Sequence, residues 1–407
     1  MKPVRRGRLS GGDWKELYEK LKMSAEEAAS MVRDGDVIAS SGAANWPHLT
    51  EAAVTARLRE SGSQVEWNSL FAPLDTQILK QENRDLVEYN TVFFAGDRTL
   101  VPQGNVHYTP LNLSHTACWL ESRQPRVAII GVSAPDENGW MSRSLWAPHV
   151  PRPVFEQCEV LIVEVNDQLP YCATGGEHHM SIHVSEVDAI VENHHAPAAN
   201  APVAATKEDQ LIAGHIADMV PDGACMQFGL GGLANAVGDC LAYAGKKDLG
   251  IHTEVISSCV AELMKKGIVN NSKKALFPGK SVGSFLVGDR DLWDYAHFNR
   301  EFLFKEVAWI NHPNNIARND KVVSVNNAME VDLTGQVNAE SVGRKMYSGT
   351  GGQLEWVIGS QWSNGGKSII ALRSSYVDKS GVRHSKIKPC LPLGSAVTTP
   401  PPLCSMW

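Results

Sequence analysis

The sequence has no paired cysteine motif and no long apolar run. None of its eight cysteines lies in a Cys-X-X-Cys pair, and a chain of 407 residues can bury its own core without disulfides. The longest apolar stretches, such as Val127–Val132 and Val160–Val163, fall far short of the ~20 residues that a bilayer requires. We therefore expect mostly buried, reduced cysteines and no membrane partner.

The sequence also lacks an excess of basic charge. It has 38 Lys and Arg against 45 Asp and Glu, a net charge of −7, whereas a dedicated nucleic-acid binder carries a basic footprint. The basic residues between Lys2 and Arg8 are followed by Ser-Gly-Gly-Asp instead of the apolar segment of a secretory signal. Asp13 and Glu16 come early for a mitochondrial presequence. We expect a cytoplasmic protein that binds no nucleic acid.

Glycine and proline repeat at no fixed period, which excludes a collagen-like or low-complexity chain. The apolar share is 43% and the charged share 20%, as in ordinary globular proteins, and these values exclude intrinsic disorder. The length favours two or three domains.

Short apolar runs alternate with segments of helical periodicity, a pattern that predicts an α/β fold with parallel sheets covered on both faces. Ser24 with Glu27 three residues later predicts a capping box at the start of a helix. The predicted strands are Val37–Ala39, Val127–Val132, Val160–Val165 and Ala224–Phe228, and the predicted helices are Lys22–Arg33, Ala53–Arg59, Asp209–Val220 and Asn235–Tyr243.

The segment His194–Thr206 is rich in Ala, Pro and Asn and has no periodicity, so it is interpreted as a linker between domains. Each side of it opens with a helix, an Asp-Gly turn and a strand, as in a duplicated domain. We predict an N-terminal domain over residues 10–195 and a C-terminal domain over residues 205–407. Near the end, Ser395–Thr398 resembles a strand, and the prolines that follow exclude a helix or a central strand.

A glycine cluster, Gly229-Leu-Gly-Gly-Leu233, lies between a predicted strand and a predicted helix. Backbone N–H groups at such a position can bind an anion at the helix N-terminus. A dinucleotide fingerprint is the competing interpretation, but the third glycine and the acidic residue that it needs are missing. An ordinary tight turn is the other alternative.

Two further motifs carry possible chemistry. Leu249-Gly-Ile-His-Thr-Glu254 ends a short apolar stretch in an acidic residue, where parallel sheets place ligands, and a carboxylate there can act as a nucleophile. A surface ion-pair partner is the alternative role for this glutamate.

A second glycine cluster is Ser348-Gly-Thr-Gly-Gly-Gln-Leu-Glu-Trp356. It offers backbone donors for an oxyanion, and an ordinary loop is the alternative.

In this order, the glycine cluster, LGIHTE and SGTGGQ resemble the acetyl-CoA hydrolase/transferase family, which includes 4-hydroxybutyrate CoA-transferases. The similarity runs from about residue 13 to Thr399. It also rests on DWKELY (13–18), SAPDENG (133–139), EVNDQLP (164–170), IHVS (182–185), FPGK (277–280), VDLTGQV (331–337) and GGKSI (365–369).

The resemblance implies two similar open α/β/α domains with the active site between them. It implies transfer of CoA between an acyl-CoA and a small carboxylate, such as acetate or 4-hydroxybutyrate, by a ping-pong mechanism. Glu254 matches the catalytic glutamate, which forms a glutamyl-CoA thioester. Coenzyme A is a substrate here, and the resemblance implies no metal and no permanently bound cofactor. A homodimer or a higher homo-oligomer is expected.

The resemblance also assigns the remaining site residues. Asn311 and Lys367 match polar positions that the family directs at CoA, and a lysine suits a phosphate as a point charge. The CoA-binding loop corresponds to Gly229, Leu230, Gly231, Gly232 and Leu233, and the second glycine motif to Gly349, Gly351, Gly352 and Gln353.

The sequence departs from the family pattern at three places. Ala234 replaces a common Pro, and Glu355 replaces a common Asp. After Thr399 the sequence ends in Pro-Pro-Pro-Leu-Cys-Ser-Met-Trp, where relatives continue through a Tyr-Gly stretch. This predicts a C-terminal domain that is truncated at its end. An acyl-CoA hydrolase, or an inactive paralogue that only binds CoA or a partner, therefore stays open as an alternative.

Polar residues outside these motifs suggest two more sites. Arg143, close to Trp140, Trp146 and His149, could bind a second carboxylate of a dicarboxylic substrate, although a core or surface role is the alternative. The histidine pairs His178-His179 and His194-His195 are candidate metal ligands. Adjacent side chains point apart and no partner lies at ligand spacing, so we expect no metal.

Overall fold

The computed structural model describes residues 13–70, 72–94, 97–146, 150–175, 180–200 and 203–400. Strands and helices alternate along the chain, which confirms the predicted α/β class. The helices are α1 Trp14–Leu21, α2 Ala25–Ala29, α3 His48–Ser61, α4 Thr116–Arg123, α5 Arg152–Gln157, α6 Lys207–Met219, α7 Gly232–Tyr243, α8 Ser258–Lys265, α9 Arg290–Ala296, α10 Val307–Ile310, α11 Pro313–Ala317 and α12 Gln353–Trp362.

The strands of the described residues are short, and most belong to parallel sheets. They are β1 Asp36–Ser40, β2 Val65–Asn68, β3 Val87–Thr91, β4 Val106–Tyr108, β5 Val127–Val132, β6 Trp140–Ser142, β7 Val160–Asn166, β8 Ser181–His183, β9 Ala189–Asn193, β10 Cys225–Gln227, β11 Gly250–Ile251, β12 Val255–Ser257, β13 Ser281–Gly283, β14 Phe285–Val287, β15 Phe302–Phe304, β16 Val322–Asn327, β17 Glu330–Asp332, β18 Val337–Asn338, β19 Ser341–Val342, β20 Lys345–Met346, β21 Lys367–Ala371, β22 Ser375–Val377, β23 Arg383–Ser385 and β24 Ile387–Lys388.

The chain forms two compact units. The first consists of Met1–Leu111, His115–Ala199 and Trp293–Glu306, and the second of Asn112–Ser114, Asn200–Leu292 and Val307–Trp407. Residues 194–200 and 203–206, within the predicted linker, form neither helix nor strand. The domain boundaries at 195 and 205 stay a prediction.

The first unit contains a seven-stranded parallel sheet with the order β4-β3-β2-β1-β5-β7-β9. The chain therefore starts in the middle with β1, moves outward to β4, and returns to build the other half from β5 to β9. Every residue of β5 is buried, as its continuous apolar sequence predicts for a strand that is covered on both faces.

The second unit contains a four-stranded parallel sheet with the order β11-β10-β16-β21. From β10 the chain moves first to β11 on one side and later to β16 on the other. The strand order therefore reverses between β10 and β16. In open α/β sheets, ligands bind outside the carboxyl ends of the strands at such a reversal.

Several predicted elements differ from the observed ones. Helix α3 begins at His48, five residues before the predicted start at Ala53. Helix α2 has the predicted Ser24–Glu27 capping box but ends at Ala29, because turns lead from there to Gly35. Helix α7 begins at Gly232, three residues before the predicted start. The predicted strand Ser395–Thr398 is wrong, because backbone pairing with β18 is confined to its end. Thr398 N–H donates to the carbonyl of Val337 at 2.8 Å, whereas Ala396 N–H donates to Ser341 Oγ. Beside it, Thr399 forms only an isolated bridge to Val337.

Within the described ranges, none of the helices has both the length and the hydropathy of a membrane span.

Candidate active site

Glu254 follows the carboxyl end of β11 and precedes β12. Its backbone carbonyl accepts hydrogen bonds from Ser284 N–H and Phe285 N–H at 3.1 and 3.0 Å, so the adjacent segment at β14 fixes the main chain. Thr253, just before it, is fully buried, and its Oγ1 lies 3.3 Å from the carbonyl oxygen of Phe228. The loops after β10 and β11 are therefore joined at this edge of the sheet.

The Glu254 carboxylate is held by a single amide side chain. Asn311 Nδ2 donates to Glu254 Oε2 at 2.6 Å and to Glu355 Oε2 at 3.2 Å. Asn311 is completely buried, and its Oδ1 accepts no hydrogen bond from the described residues. One amide group therefore orients two carboxylates.

The residue before Asn311 is positioned by the strand that leads to Glu254. His252 Nε2 lies 3.0 Å from the carbonyl oxygen of Ile310, and its Nδ1 lies 3.1 Å from Nδ2 of Asn319. Burial, with the nearby Lys274 ammonium, lowers the pKa of His252 to about 3, so the ring is neutral near pH 7. Because the Asn319 amide must donate to Nδ1, Nε2 carries the proton and donates to Ile310.

Gly352 makes room for this arrangement. A Cβ atom at this position would lie 2.1 Å from Glu254 Oε2 and 2.4 Å from Asn311 Nδ2, so no other residue fits without displacing them. Gly352 is the N-cap of α12, and Glu355 lies in the first turn of that helix. The second glycine motif therefore contributes two things: Gly352 leaves space for the Glu254 carboxylate, and Glu355 places a second carboxylate beside it.

Glu355 is 3% exposed and binds the short segment Asn112–Ser114. Ser114 donates hydrogen bonds to its carboxylate, and Leu113 N–H donates to the carbonyl of Gly351 at 3.0 Å. In the sequence alone, Glu355 stands out only as a departure from the family pattern, and Ser114 does not stand out at all. No sequence signal links Ser114 to Glu355, because they are far apart in the chain.

Both carboxylates are harder to ionise than usual. Burial raises the pKa of Glu254 to about 7, against the opposing effect of the Asn311 hydrogen bond. Burial raises the pKa of Glu355 to about 7 as well, and the neighbouring charge of Glu254 adds to this effect. Since the two groups share one amide donor, ionisation of one disfavours ionisation of the other.

A cavity of about 620 Å³ lies at the carboxyl ends of β10, β16 and β21, where the strand order reverses. Gly231, the N-cap of α7, has a φ of 101°, a conformation that favours glycine. Leu230 is 43% exposed and Leu233 is buried. The cavity is lined by the loop residues Leu230 to Leu233, by Asn327 and by the side chains of Arg373, Tyr376 and Lys386.

The other predicted site residues make structural contacts. Lys367 Nζ donates to the carbonyl of Met219 at the end of α6, at 2.7 Å. Gln353 Nε2 donates to Thr399 Oγ1 at 3.1 Å. The structure therefore groups Asn311 and Gly352 around Glu254, and it places the first glycine loop at the cavity. The Lys367 ammonium lies at the end of a helix.

Arg143 is not available to a substrate. Its side chain is completely buried in the first unit, and its Nη2 lies 2.8 Å from Glu306 Oε1. The interpretation of Arg143 as the anchor of a second substrate carboxylate is therefore wrong, because a protein carboxylate occupies it. His149, His178 and His179 lie outside the described residues, and His194 Nδ1 lies 2.8 Å from an Asp167 oxygen. Within the described part of the chain, no group of three His, Cys, Asp or Glu side chains could hold a metal ion.

Comparison with known proteins gives consistent matches. Residues 6–202 match the acetyl-CoA hydrolase/transferase N-terminal domain, and residues 288–406 match the C-terminal domain of the same family. The chain is 34% identical to butyryl-CoA:acetate CoA-transferase of Anaerostipes caccae over 396 residues, which are 95% of this chain and 87% of that protein. It is 36% identical to 4-hydroxybutyrate coenzyme A transferase of Clostridium kluyveri over 391 residues, 95% of this chain and 88% of that protein.

Solved structures agree with these matches. RipA from Yersinia pestis superposes with a TM-score of 0.86 and 32% identity, over 96% of this chain and 89% of that one. A 4-hydroxybutyrate CoA-transferase from Porphyromonas gingivalis superposes with a TM-score of 0.77 and 30% identity, over 93% of this chain and 87% of that one.

Proposed function

This chain belongs to the acetyl-CoA hydrolase/transferase family, and from that membership we propose that it transfers CoA between an acyl-CoA and a small carboxylate. The similar proteins are named for butyryl-CoA with acetate and for 4-hydroxybutyrate, so acetate, 4-hydroxybutyrate or a similar acid is the proposed acceptor. The proposed route is a ping-pong exchange through a thioester on Glu254.

The observation that carries this proposal is the fixed carboxylate of Glu254. Asn311 donates to Oε2 at 2.6 Å, and this is the one hydrogen bond that the described residues make to the carboxylate. A carboxylate oriented through one oxygen can present the other oxygen to an electrophile. A surface ion pair, the alternative considered for Glu254, would have a cationic partner, and the structure gives it an amide instead.

In the first half of the reaction, Glu254 Oε1 attacks the thioester carbonyl carbon of the acyl-CoA. The C–S bond breaks and CoA leaves as the thiolate, which gives a mixed anhydride between the acyl group and Glu254. The thiolate then attacks the glutamyl carbonyl carbon of that anhydride. The acyl group leaves as a carboxylate, and Glu254 is left as a CoA thioester. No net proton transfer occurs, so Glu254 must be ionised at the start.

Asn311 has a second role in this route. The oxygen that it binds, Oε2, becomes the carbonyl oxygen of the anhydride and of the thioester. Negative charge develops on that oxygen when the thiolate attacks, and the buried Nδ2–H group is already in place to stabilise it. One such donor lowers the activation barrier by about 3 kcal/mol. The incoming carboxylate then reverses the two steps to form its own acyl-CoA.

The proposal is tested by incubating the full chain with acetyl-CoA and analysing its peptides by mass spectrometry. We expect a CoA adduct on the peptide that contains Glu254, and formation of a second acyl-CoA when another carboxylate is added. Glu254→Gln keeps the size of the side chain and removes the nucleophile, so it should give no adduct and at least about 1,000-fold less transfer.

Other outcomes would change the assignment. Release of free CoA from acetyl-CoA without any acceptor acid would identify a hydrolase, in which water replaces the second carboxylate. A folded protein that forms no adduct with acetyl-CoA, succinyl-CoA or itaconyl-CoA would contradict the proposal and favour an inactive paralogue.

A further inference from the structure

The second carboxylate at the site, Glu355, takes no part in the bond changes described above, yet it lies beside the nucleophile. Its Oε2 accepts a hydrogen bond from Asn311 Nδ2 at 3.2 Å, and the same nitrogen donates to Glu254 Oε2 at 2.6 Å. Glu355 lies in the first turn of α12 and is 3% exposed. A buried carboxylate destabilises the fold unless its partners compensate, so its presence here points to a role in the reaction.

The two carboxylates decide which end of the Asn311 amide faces Glu254. Asn311 Oδ1 is buried and accepts no hydrogen bond from the described residues, so it does not fix the amide. The hydrogen bonds that do fix it both leave from Nδ2 and end on carboxylate oxygens. Rotation of the amide by half a turn would place Oδ1 against two carboxylates, which would repel it. The N–H end is therefore the one that faces Glu254.

The balance between the two carboxylates changes during the proposed reaction. Before the reaction starts, the ionised Glu254 is the nearer acceptor for Nδ2 of Asn311. In the thioester, Oε2 of Glu254 is a neutral carbonyl oxygen, and a hydrogen bond to a neutral acceptor is roughly half as strong. Among the described residues, Glu355 is then the one carboxylate left to hold the amide. Loss of the Glu254 charge also favours ionised Glu355, because that charge is one of the effects that raise the pKa of Glu355.

Glu355 is itself fixed by the segment Asn112–Ser114. The hydroxyl and the backbone N–H of Ser114 both donate to its carboxylate, and both favour the ionised form. Leu113 N–H donates to the carbonyl of Gly351 at 3.0 Å, one residue before the N-cap of α12. This segment belongs to the second unit, although the residues before and after it belong to the first. The carboxylate of Glu355 therefore has donors that do not depend on the state of the nucleophile.

Resting on the proposed function, we propose that Glu355 is a positioning residue that holds the Asn311 amide in place while Glu254 is a CoA thioester. Ser114 fixes Glu355 for this role. Glu355 acts through Asn311, whose N–H group stabilises the negative charge that returns to Oε2 of Glu254 when the acceptor carboxylate attacks. The effect of Glu355 is therefore greatest in the second half of the reaction.

The test uses the full chain, converted to its thioester with acetyl-CoA, separated from small molecules by gel filtration, and then mixed with acetate. The rate constant for loss of the thioester is measured in a single turnover, so it does not depend on the fraction of active protein. Glu355→Gln keeps the size of the side chain and removes its charge, and it should lower this rate constant about tenfold at pH 8. Ser114→Ala should lower it about threefold, because Glu355 keeps the backbone donor.

The pH dependence gives a readout that a purely structural role would not change. In the thioester, Glu254 has no ionisable group, and the other partners of Glu355, Asn311 and Ser114, carry no charge. His252, whose ring lies 5.5 Å from a ring of α12, stays neutral above pH 5 because its pKa is about 3. The rate constant of the unchanged protein should therefore rise between pH 5 and 8 as Glu355 ionises. Ionisation of acetate affects all variants alike, and Glu355→Gln should lack the additional rise.

Matched controls carry the same substitutions outside the site. Glu262→Gln removes an exposed carboxylate of α8, and Ser122→Ala removes a hydroxyl that binds the backbone of α4. The thioesters of both should react as that of the unchanged protein does at every pH. If Glu355→Gln does not fold, as judged by circular dichroism, Ser114→Ala carries the test with its threefold expectation.

The outcomes separate this inference from the proposed function. An unchanged protein that forms no thioester would contradict the proposed function, and the inference with it. If the thioester of Glu355→Gln reacts as fast as that of Glu262→Gln, or keeps the full rise with pH, the inference is overturned and the function stands. A folded Glu355→Gln variant that forms no thioester at all would overturn it too, because the ionised Glu254 should hold the amide by itself at that stage.

Discussion

At the scale of single residues, the site consists of two carboxylates around one amide. Glu254 and Glu355 are both protonated more readily than usual, and Asn311 donates one N–H group to each of them. The Asn311 hydrogen bond opposes the effect of burial, because it stabilises the ionised form of Glu254. The ionisation of the nucleophile therefore depends on this one amide.

Asn311→Ala should move the pH dependence of transfer upward. Burial raises the pKa of Glu254 to about 7 and Asn311 lowers it, so without Asn311 the pKa rises further. Because the reaction needs the ionised carboxylate, activity should increase only at a higher pH than in the unchanged protein. The maximal rate should also fall about 100-fold, since an oxyanion donor is lost.

The measurement is kcat/KM for acetyl-CoA between pH 5 and 9. Asn315→Ala is the control, because Asn315 lies in the same segment and binds the carbonyl of Trp309 instead of a carboxylate. An unchanged midpoint in Asn311→Ala would contradict the assigned role.

At the scale of elements, the position of a glycine in its helix determines whether a larger residue fits there. Gly352 is the N-cap of α12 and lies against Glu254, whereas Gly214 lies within α6 with nothing close to its Cβ position. The same substitution at these two helices should therefore have opposite consequences.

Gly352→Ala should abolish transfer, because its Cβ would overlap Glu254 Oε2, which lies 2.1 Å away. Gly214→Ala should keep full activity and raise the free energy of unfolding by up to about 1 kcal/mol, because alanine is the better helix former. Turnover of acetyl-CoA and urea denaturation of both variants are the measurements. Activity in Gly352→Ala at the level of Gly214→Ala would contradict the geometry of the site.

At the scale of the whole molecule, buried apolar residues form the core, and the buried Arg143 side chain lies within the first unit as part of an ion pair. Arg143 is completely buried and pairs with Glu306, which is 20% exposed on its side chain. Removal of one partner of a buried pair leaves an uncompensated charge.

Arg143→Met should lower the free energy of unfolding by about 3 kcal/mol, and the order of preference among acceptor acids should not change. Arg84→Met is the control, because Arg84 and Asp85 are both exposed and such pairs contribute less than about 1 kcal/mol. Denaturant unfolding measures the first expectation, and rates with acetate and succinate measure the second. Selective loss of dicarboxylate transfer in Arg143→Met would restore the substrate-anchor interpretation.

Much of the fold was predictable because it depends on local patterns. The β-branched run at Val127–Val132 predicts a buried strand, and Ser24 with Glu27 predicts a helix start; both are present. Glu254 after a short apolar strand also predicted a position at the carboxyl edge of a parallel sheet. The predicted strand at Ser395–Thr398 is wrong because only its last residue binds the backbone of β18, and Ala396 N–H donates to the Ser341 side chain instead.

The sequence by itself determined the α/β class, the family and the position of Glu254 at a strand end, because periodicity, capping and motif order are properties of neighbouring residues. Only the tertiary structure decided that Asn311 joins Glu254 to Glu355, that Ser114 reaches Glu355, and that Arg143 is occupied by Glu306. These contacts connect residues distant in the chain, and no local pattern specifies which of many polar side chains will meet once the sheets and helices have packed.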